Sequence, residues 1–286
     1  MSRLRWVWGP QLFVSMLVAV CAVYGIMTAF VQHEVLAVQA KALAVQQDAQ
    51  THIQLHMASV AALQQELAST YSWISQVNCS QQPCIALTFD DGPNAATTSQ
   101  ILSILEKEHV SASFFVVGSR IAGNEALLRQ MYADGDEIGN HSWSHPDLTT
   151  LKPDQVRQQV AMTQSAVEAA GVPTPTLFRP PYGAVNKSVL SNIPLTVMFW
   201  NEDPQDWAAN SPQQVEQAVE STTKPGGVVD MHDIYQITAD SLDPIIQKLK
   251  SEHYQFVTVS QLMGLKPGQP GEYYGLKPQD FQANGE

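Results

Sequence analysis

The chain has 286 residues, 27 acidic and 15 basic, which gives a formal net charge of −12. Nucleic acids and anionic membrane surfaces bind basic patches, so this composition argues against both as ligands. The length fits one domain of about 200 residues with an additional segment. The hydrophobic content of 44% is ample for a core, although part of it belongs to the N-terminal segment.

The first predicted element is an apolar segment near the N-terminus. Residues 12–31 carry no charge and follow Arg3 and Arg5. About 20 apolar residues match the thickness of a bilayer core, and arginines on the short side favour a cytoplasmic N-terminus. We therefore expect residues 1–31 to form a cytoplasmic stub and a single-pass transmembrane anchor, with the remaining chain extracellular. A cleaved signal sequence is the alternative.

A helical stalk is predicted for residues 32–78. Residues 26–82 contain neither Gly nor Pro and are rich in Ala and Gln, a composition typical of a helix. Apolar residues recur at heptad spacing, but glutamines interrupt them, so the stalk is either a plain spacer or a weak self-associating coiled coil. The heptad positions are Leu36, Leu43, Ile53, Met57, Val60, Leu67, Tyr71 and Ile74.

Two cysteines, Cys79 and Cys84, precede the first predicted strand of the main domain. Outside the cytoplasm a disulfide between them is permitted, and the short intervening turn makes its geometry feasible. A structural disulfide and two free thiols both remain open.

Residues 79–264 alternate between strand and helix patterns, which predicts a parallel α/β sheet, either open or closed into a barrel. Residues 265–286 are rich in Gly and Pro and show no periodicity, so we expect an irregular C-terminal tail. The predicted strands span residues 85–89, 113–117, 137–139, 196–200, 228–231 and 256–259. The predicted helices span residues 96–109, 124–134, 153–170, 212–222 and 239–252.

Five short motifs lie at the ends of predicted strands, where active residues of parallel sheets are found. Together they supply two adjacent carboxylates, two histidines four residues apart, an arginine beside a rigid turn and a further histidine. These side chains suit a divalent metal that activates water, with a base and an acid to move protons. In chain order the motifs are TFDDG (88–92), HSWSH (141–145), RPPYG (179–183), DPQDW (203–207) and DMHD (230–233).

The first two motifs suggest a metal site. Consecutive residues at a strand end point in different directions, so one of Asp90 and Asp91 can bind a metal while the other accepts a proton. A spacing of four residues on a helical turn would align His141 and His145 on one side. Together with Asp91 they form the ligand set of a catalytic zinc site, although cobalt, manganese or nickel would also fit.

In order, spacing and flanking residues these motifs resemble the polysaccharide deacetylase family (NodB homology domain, carbohydrate esterase family four) over about residues 84–263. The resemblance implies a distorted (β/α) barrel of about seven parallel strands and metal-dependent removal of N-acetyl groups from a cell-surface polysaccharide. Behind an extracellular membrane anchor, N-acetylglucosamine of peptidoglycan is the expected substrate. The alternatives are an O-acetyl esterase, a deacetylase of N-acetylmuramic acid or an exopolysaccharide, and a non-catalytic wall-binding protein.

The resemblance also implies a role for each site residue. Asp90 corresponds to the general base, and Asp91, His141 and His145 correspond to the metal ligands. Arg179 corresponds to the arginine that pairs with the base and keeps it ionised.

The later motifs complete the implied site. The backbone N–H of Tyr182 corresponds to the oxyanion donor, and His232 to the general acid that protonates the departing amine. Asp206 corresponds to the carboxylate that raises the pKa of this histidine, and Trp207 to a wall of the acetyl pocket.

One position departs from the family pattern. The family usually has a leucine two residues before the acid histidine, lining the acyl-methyl pocket, and this chain has Asp230 there. A carboxylate in a small apolar pocket is costly unless it is paired or protonated. Asp230 therefore either contacts a polar group of the substrate or turns away from the pocket.

Overall fold

The structure, a computed structural model, describes residues 10–71, 79, 82–266 and 271–275. It contains two compact units, Met1–Trp73 and Ile74–Glu286. In the first unit a continuous 62-residue helix, α1, spans Pro10–Tyr71. The predicted helix is thus observed as far as Tyr71, while residues 72–78 lie outside the described residues.

Helix α1 contains a segment, Val14–Ser59, that includes an 18-residue window with a mean hydropathy of 2.3, long and apolar enough to cross a membrane. By length and composition it fits either a membrane anchor or a signal sequence. The coiled coil stays a prediction, because Ile74 and the side chains of Val60, Leu67 and Tyr71 lie outside the described residues.

The second unit is built on a curled sheet in which all paired strands are parallel. The strand order is β6-β1-β2-β3-β4-β5-β8, and β7 pairs with β1 beside this path. The strands are β1 (Cys84–Asp90), β2 (Ser113–Val116), β3 (Glu137–Asn140), β4 (Leu177–Phe178), β5 (Thr196–Met198), β6 (Gly227–His232), β7 (Gln255–Phe256) and β8 (Glu272–Tyr273). The helices are α2 (Thr97–Glu108), α3 (Glu125–Asp134), α4 (Pro153–Ala169), α5 (Lys187–Leu190), α6 (Pro212–Thr222), α7 (Gln236–Ser251) and α8 (Val259–Met263).

The sheet curls until its two ends meet. After β5 the chain forms a parallel bridge between Glu202 and Val229 of β6. The Asp230 N–H donates to the Glu202 carbonyl at 2.9 Å, and the Val228 N–H donates to the Asn201 side chain at 2.7 Å. The expected distorted barrel of about seven parallel strands is therefore confirmed, with β8 as an additional short strand.

Strand β1 pairs with β2, β6 and β7, and all seven of its residues are buried. Its side chains alternate between two apolar clusters, as strand geometry requires. Ile85 and Leu87 pack with the α2, α3 and α7 side of the sheet, whereas Cys84 and Ala86 pack inside the curl. Burial on both faces fixes the register of β1 and hence the place where its carboxyl end emerges.

Two predicted elements differ from the structure. The predicted strand 256–259 ends earlier, because the Thr258 side chain accepts a hydrogen bond from the Gln261 N–H and begins α8. In the tail, predicted to be irregular, Glu272 and Tyr273 pair with β5. Strand β8 has only two residues and no apolar run, so the sequence alone does not indicate it. It forms because it pairs with the edge of β5. Residues 267–270 and 276–286 of the tail lie outside the described residues.

The cysteine alternatives are resolved by a disulfide between Cys79 and Cys84. It attaches residue 79 to the first residue of β1, at the amino end of the strand. Cys21 in α1 is a free, exposed thiol.

Candidate active site

The register of the sheet places the motif residues at one edge. Asp90, the last residue of β1, is aligned with His232, the last residue of β6. Asn140 and Phe178, the last residues of β3 and β4, are aligned with each other. Because all these strands are parallel, the residues at their ends and those that follow meet at the carboxyl edge of the sheet.

Asp91, His141 and His145 converge at this edge. Each offers a ligand atom, and the three atoms lie within 4.8 Å of one another. Asp91 Oδ1 lies 3.7 Å from Nε2 of His141 and 3.3 Å from Nε2 of His145. One carboxylate and two imidazoles, with no thiolate, form a site that suits zinc and similar divalent cations.

Two details of the site fit a bound cation. Asp91 Oδ1 is buried and accepts no hydrogen bond from any described residue, although a buried carboxylate oxygen normally has a partner. His141 Nδ1 lies 2.8 Å from the Arg179 carbonyl oxygen. Because a carbonyl can only accept, Nδ1 carries the proton, which leaves Nε2 with a lone pair for a cation.

The local geometry of the histidine motif differs from the prediction. Residues 141–146 form a loop without helical structure, so the expected alignment on a helical turn is wrong. The imidazoles converge instead because Ser142 and His145 have positive φ, 67° and 55°, and because the His145 N–H donates to Ser142 Oγ at 3.0 Å. The two ring centroids lie 4.9 Å apart.

Left-handed backbone is concentrated in the motifs. Seven described non-glycine residues have positive φ, and five of them lie in the motif loops. Such conformations cost free energy and persist where the surrounding structure holds them, commonly at functional sites. The five residues are Asp91, Ser142, His145, Tyr182 and Gln205.

Arg179 is fully buried beneath the metal-ligand set. Its Nη1 donates to Asp90 Oδ1 and to Thr88 Oγ1, both at 2.8 Å. Its Nε and Nη2 donate to the carbonyls of Met198 and Phe199 at 3.3 and 3.2 Å. These hydrogen bonds fix the guanidinium, and the guanidinium in turn fixes the carboxylate of Asp90.

Asp230 pairs with the same nitrogen, since its Oδ1 lies 2.8 Å from Arg179 Nη1. The Thr88 hydroxyl donates its own proton to the Val229 carbonyl, so Nη1 has two hydrogens for three acceptors. Burial and the nearby charge of Asp90 raise the pKa of Asp230 well above its ordinary value, against the effect of Arg179. The structure thus pairs Asp230 with Arg179, a residue that also holds Asp90.

His232 is bound to Asp206 as expected. Its Nδ1 lies 2.8 Å from Asp206 Oδ1, and its backbone N–H donates to Asp206 Oδ2 at 2.7 Å. The Thr238 hydroxyl also donates to Oδ2. Burial alone would lower the pKa of His232, but the hydrogen bond and charge of Asp206, with the charges of Asp90 and Asp230, raise it to about 10. An imidazole with this pKa carries a positive charge at neutral pH.

Tyr182 and Trp207 lie at the rim of the site. Tyr182 is 70% exposed, and its ring meets the His145 ring edge-on at 4.5 Å between centroids. Trp207 is 57% exposed, and its backbone N–H donates to Asp206 Oδ1 at 2.9 Å. Trp207 is therefore a surface residue and not part of the core.

One buried carboxylate in the site was not assigned a role from the sequence. Asp233 accepts a hydrogen bond from the Thr98 hydroxyl at 2.5 Å, and its N–H donates to the Asp90 carbonyl at 3.2 Å. A Cβ on Gly92 would lie 2.0 Å from Asp233 Oδ2. Burial, with the charges of Asp91 and Asp90, raises the pKa of Asp233 to about 7 despite the Thr98 bond. The sequence signal that could have pointed to Asp233 was its position directly after His232 in the DMHD motif.

Replacing one imidazole tests the metal site. Loss of an outer partner of a metal ligand typically costs 10- to 100-fold in affinity, so His141→Ala should weaken zinc binding about 100-fold or more. Elemental analysis after zinc loading and a competition titration with a chelator measure this. His56→Ala, in α1, is the control and should bind zinc as the unchanged protein does. Equal zinc content in His141→Ala would contradict the assignment.

Replacing Asp206 tests the proton donor. Asp206→Asn removes the charge that raises the pKa of His232, so we expect this pKa to fall towards 6.5. Titration of the imidazole C–H resonances by NMR in metal-free protein measures the shift. Asp203→Asn changes the same charge in the same loop and should leave the pKa of His232 within about half a unit. If the pKa of His232 is the same in both variants, the pairing with Asp206 is not what raises it.

Comparisons with known proteins agree with this geometry. A sequence profile described as "Polysaccharide deacetylase" matches residues 77–196. The peptidoglycan-N-acetylmuramic acid deacetylase PdaC of Bacillus subtilis is 45% identical over 185 residues, which are 65% of this chain and 40% of that protein. The peptidoglycan-N-acetylglucosamine deacetylase PgdA of Listeria monocytogenes is 43% identical over 182 residues, 64% of this chain and 39% of that protein.

Among solved structures, that of PdaC from Bacillus subtilis covers 66% of this chain and 93% of its own, with 44% identity and a TM-score of 0.64. The chain spans about 40% of the length of the curated relatives named above. Deacetylases of this family depend on a metal, and Asp91, His141 and His145 form a possible site for one. The chain therefore belongs to the polysaccharide deacetylase family.

Proposed function

We propose that this chain is a metal-dependent hydrolase that removes N-acetyl groups from a cell-wall polysaccharide. The observation that carries the proposal is the convergence of Asp91, His141 and His145 beside Asp90 and His232, which are register partners on β1 and β6. A binding module needs neither a base nor an acid, whereas amide hydrolysis needs both. This arrangement also favours an enzyme over a non-catalytic wall-binding protein.

Each site residue has a defined task in the proposed reaction. Asp90, held by Arg179 at 2.8 Å, accepts a proton from the water that attacks the acetamido carbon. The backbone N–H of Tyr182 donates to the developing oxyanion. His232, charged through its contact with Asp206, protonates the departing nitrogen, so acetate and a free amino sugar are released.

The metal proposed for the site is zinc, with cobalt, manganese and nickel as alternatives. Asp91 and the Nε2 atoms of His141 and His145 would hold it. When bound, a divalent cation supplies a Lewis acid that polarises a carbonyl and lowers the pKa of a water.

The proposed substrate is peptidoglycan. PdaC is named for N-acetylmuramic acid and PgdA for N-acetylglucosamine. Both relatives therefore support peptidoglycan as the polymer, but they differ in the sugar. We propose N-acetylglucosamine as the main substrate, with N-acetylmuramic acid as the second candidate. Part of α1 is proposed to anchor the protein in the cell membrane, with residues 79–264 as the catalytic domain on the wall side and residues 32–78 as the stalk.

Acetate release from purified peptidoglycan tests the activity. We expect zinc-loaded protein to release acetate, and Asp90→Asn to lower the rate by about 10²- to 10⁴-fold, the usual contribution of a general base. Elemental analysis should show that Asp90→Asn keeps its zinc. Loss of zinc instead would show that Asp90 and Asp91 have exchanged roles.

The sugar and the bond are determined in the same experiment. Mass spectrometry of muramidase digests shows whether glucosamine or muramic acid has lost the acetyl group. Chemical removal of O-acetyl groups beforehand leaves the acetate yield unchanged for an amidase and abolishes it for an esterase. If zinc-loaded protein releases no acetate from any wall polymer, the non-catalytic alternative is correct.

Asp230 variants test its contact with Arg179. Asp230→Asn keeps an oxygen that can accept from Nη1, whereas Asp230→Leu removes it, and hydrogen bonds to charged groups are worth about 1.5–3 kcal/mol. We expect Asp230→Leu to lower kcat for acetate release about tenfold more than Asp230→Asn does. Comparison of the rates on N-acetyl and N-propionyl oligosaccharides measures the acyl preference of each variant. An altered acyl preference in Asp230→Leu, without a lower kcat, would place Asp230 in the acyl pocket instead.

A further inference from the structure

Exposed aromatic side chains are concentrated at the catalytic edge. In the described part of the second unit, four large apolar side chains are exposed, and all four are aromatic. Tyr182 and Trp207 belong to motif loops, and Tyr132 lies on α3. The fourth is Tyr274, in the tail that follows the catalytic motifs. Exposed apolar groups that cluster at one place commonly mark a binding surface.

The tail strand brings Tyr274 to the same edge as the motifs. Tyr273 is aligned with Met198 in the parallel pair of β8 and β5, and the Phe199 N–H donates to the Tyr273 carbonyl at 2.7 Å. Because the two strands are parallel, the residue after Tyr273 emerges at the carboxyl edge of the sheet. Tyr274 therefore lies at the edge where β1, β3, β4 and β6 present the site residues.

The ring of Tyr274 is held parallel to the ring of Phe199. It stacks on the buried ring of Phe199, with 4.4 Å between centroids and an angle of 6° between the planes. The residue nevertheless remains 51% exposed. One face is thus fixed by packing while much of the ring stays in water, so a ligand that stacks on it need not order the side chain first.

Phe199, on which Tyr274 stacks, is followed in the chain by Trp200, which lies beside the RPPYG loop. A Cβ on Gly183, next to Tyr182 in RPPYG, would lie 3.1 Å from the Trp200 ring, and the Arg179 guanidinium carbon lies 5.5 Å from that ring's centroid. On the other side of the tail, a Cβ on Gly275 would lie 2.5 Å from the Asn201 side chain. Tyr274 is therefore fixed to a chain segment, residues 199–201, of which Trp200 lies against the RPPYG loop.

We propose that Tyr274 is a stacking platform for a sugar ring of the polysaccharide strand, outside the position where the acetyl group is lost. A pyranose ring of a β-linked amino sugar presents C–H groups on its face and hydroxyls at its edge, and an aromatic face removes those C–H groups from water. This inference rests on the proposed function. It assigns the tail residue a part in binding polymers of several sugars.

The dependence on substrate length tests the platform. With β-1,4-linked N-acetylglucosamine oligomers, we expect Tyr274→Ala to lower the ratio of kcat/KM between hexamer and dimer about tenfold, the scale of one aromatic contact. Tyr274→Trp should keep this ratio near that of the unchanged protein. Tyr132→Ala, which removes an equally exposed tyrosine from α3, is the matched control and should not change it.

A binding measurement separates this inference from the proposed activity. In the Asp90→Asn background, calorimetry of hexamer binding should show a dissociation constant about tenfold higher for Tyr274→Ala. Weakened binding without acetate release from the unchanged protein would sustain the platform and refute the deacetylase. Equal binding with and without Tyr274, absence of hexamer binding, or an equal loss on dimer and hexamer would overturn the platform.

Discussion

The candidate site depends on one buried residue, Arg179. Its carbonyl oxygen fixes the tautomer of His141, and its guanidinium bonds Asp90 and Asp230. A buried guanidinium is tolerated only where its donors find partners, and here carbonyls of the β5 region supply the remainder. One residue therefore couples the ligand of the metal site to the proposed base, so neither can shift alone.

The strained loops extend this coupling to the rest of the edge. Asp91, His145 and Tyr182 each adopt positive φ, a conformation that non-glycine residues avoid in the absence of compensating contacts. Their loops follow β1, β3 and β4, each of which pairs with a neighbouring strand on both sides, so these strands cannot slip to relieve the strain. The rigid barrel thus holds donors and ligands in place before any substrate arrives, which is the arrangement that electrostatic catalysis requires.

Much of this architecture could be predicted from the sequence, and the exceptions have physical causes. The apolar runs of β1 and β6 gave their positions, and Pro153 and Pro212 begin α4 and α6 because proline suits the first helical turn. The loop geometry of His141 and His145 was missed, since a spacing of four residues does not distinguish a helical turn from two left-handed residues. Strand β8 and the orientation of Asp230 depend on partners distant in sequence, and local patterns carry no information about them.

The disulfide between Cys79 and Cys84 has a consequence for biosynthesis. Cytosolic reductants keep such thiols reduced, whereas oxidising compartments allow the disulfide to form and persist. The bond at the start of β1 is therefore expected to persist only where the surroundings are oxidising. Its redox state therefore reports whether the domain is in a reducing or an oxidising compartment.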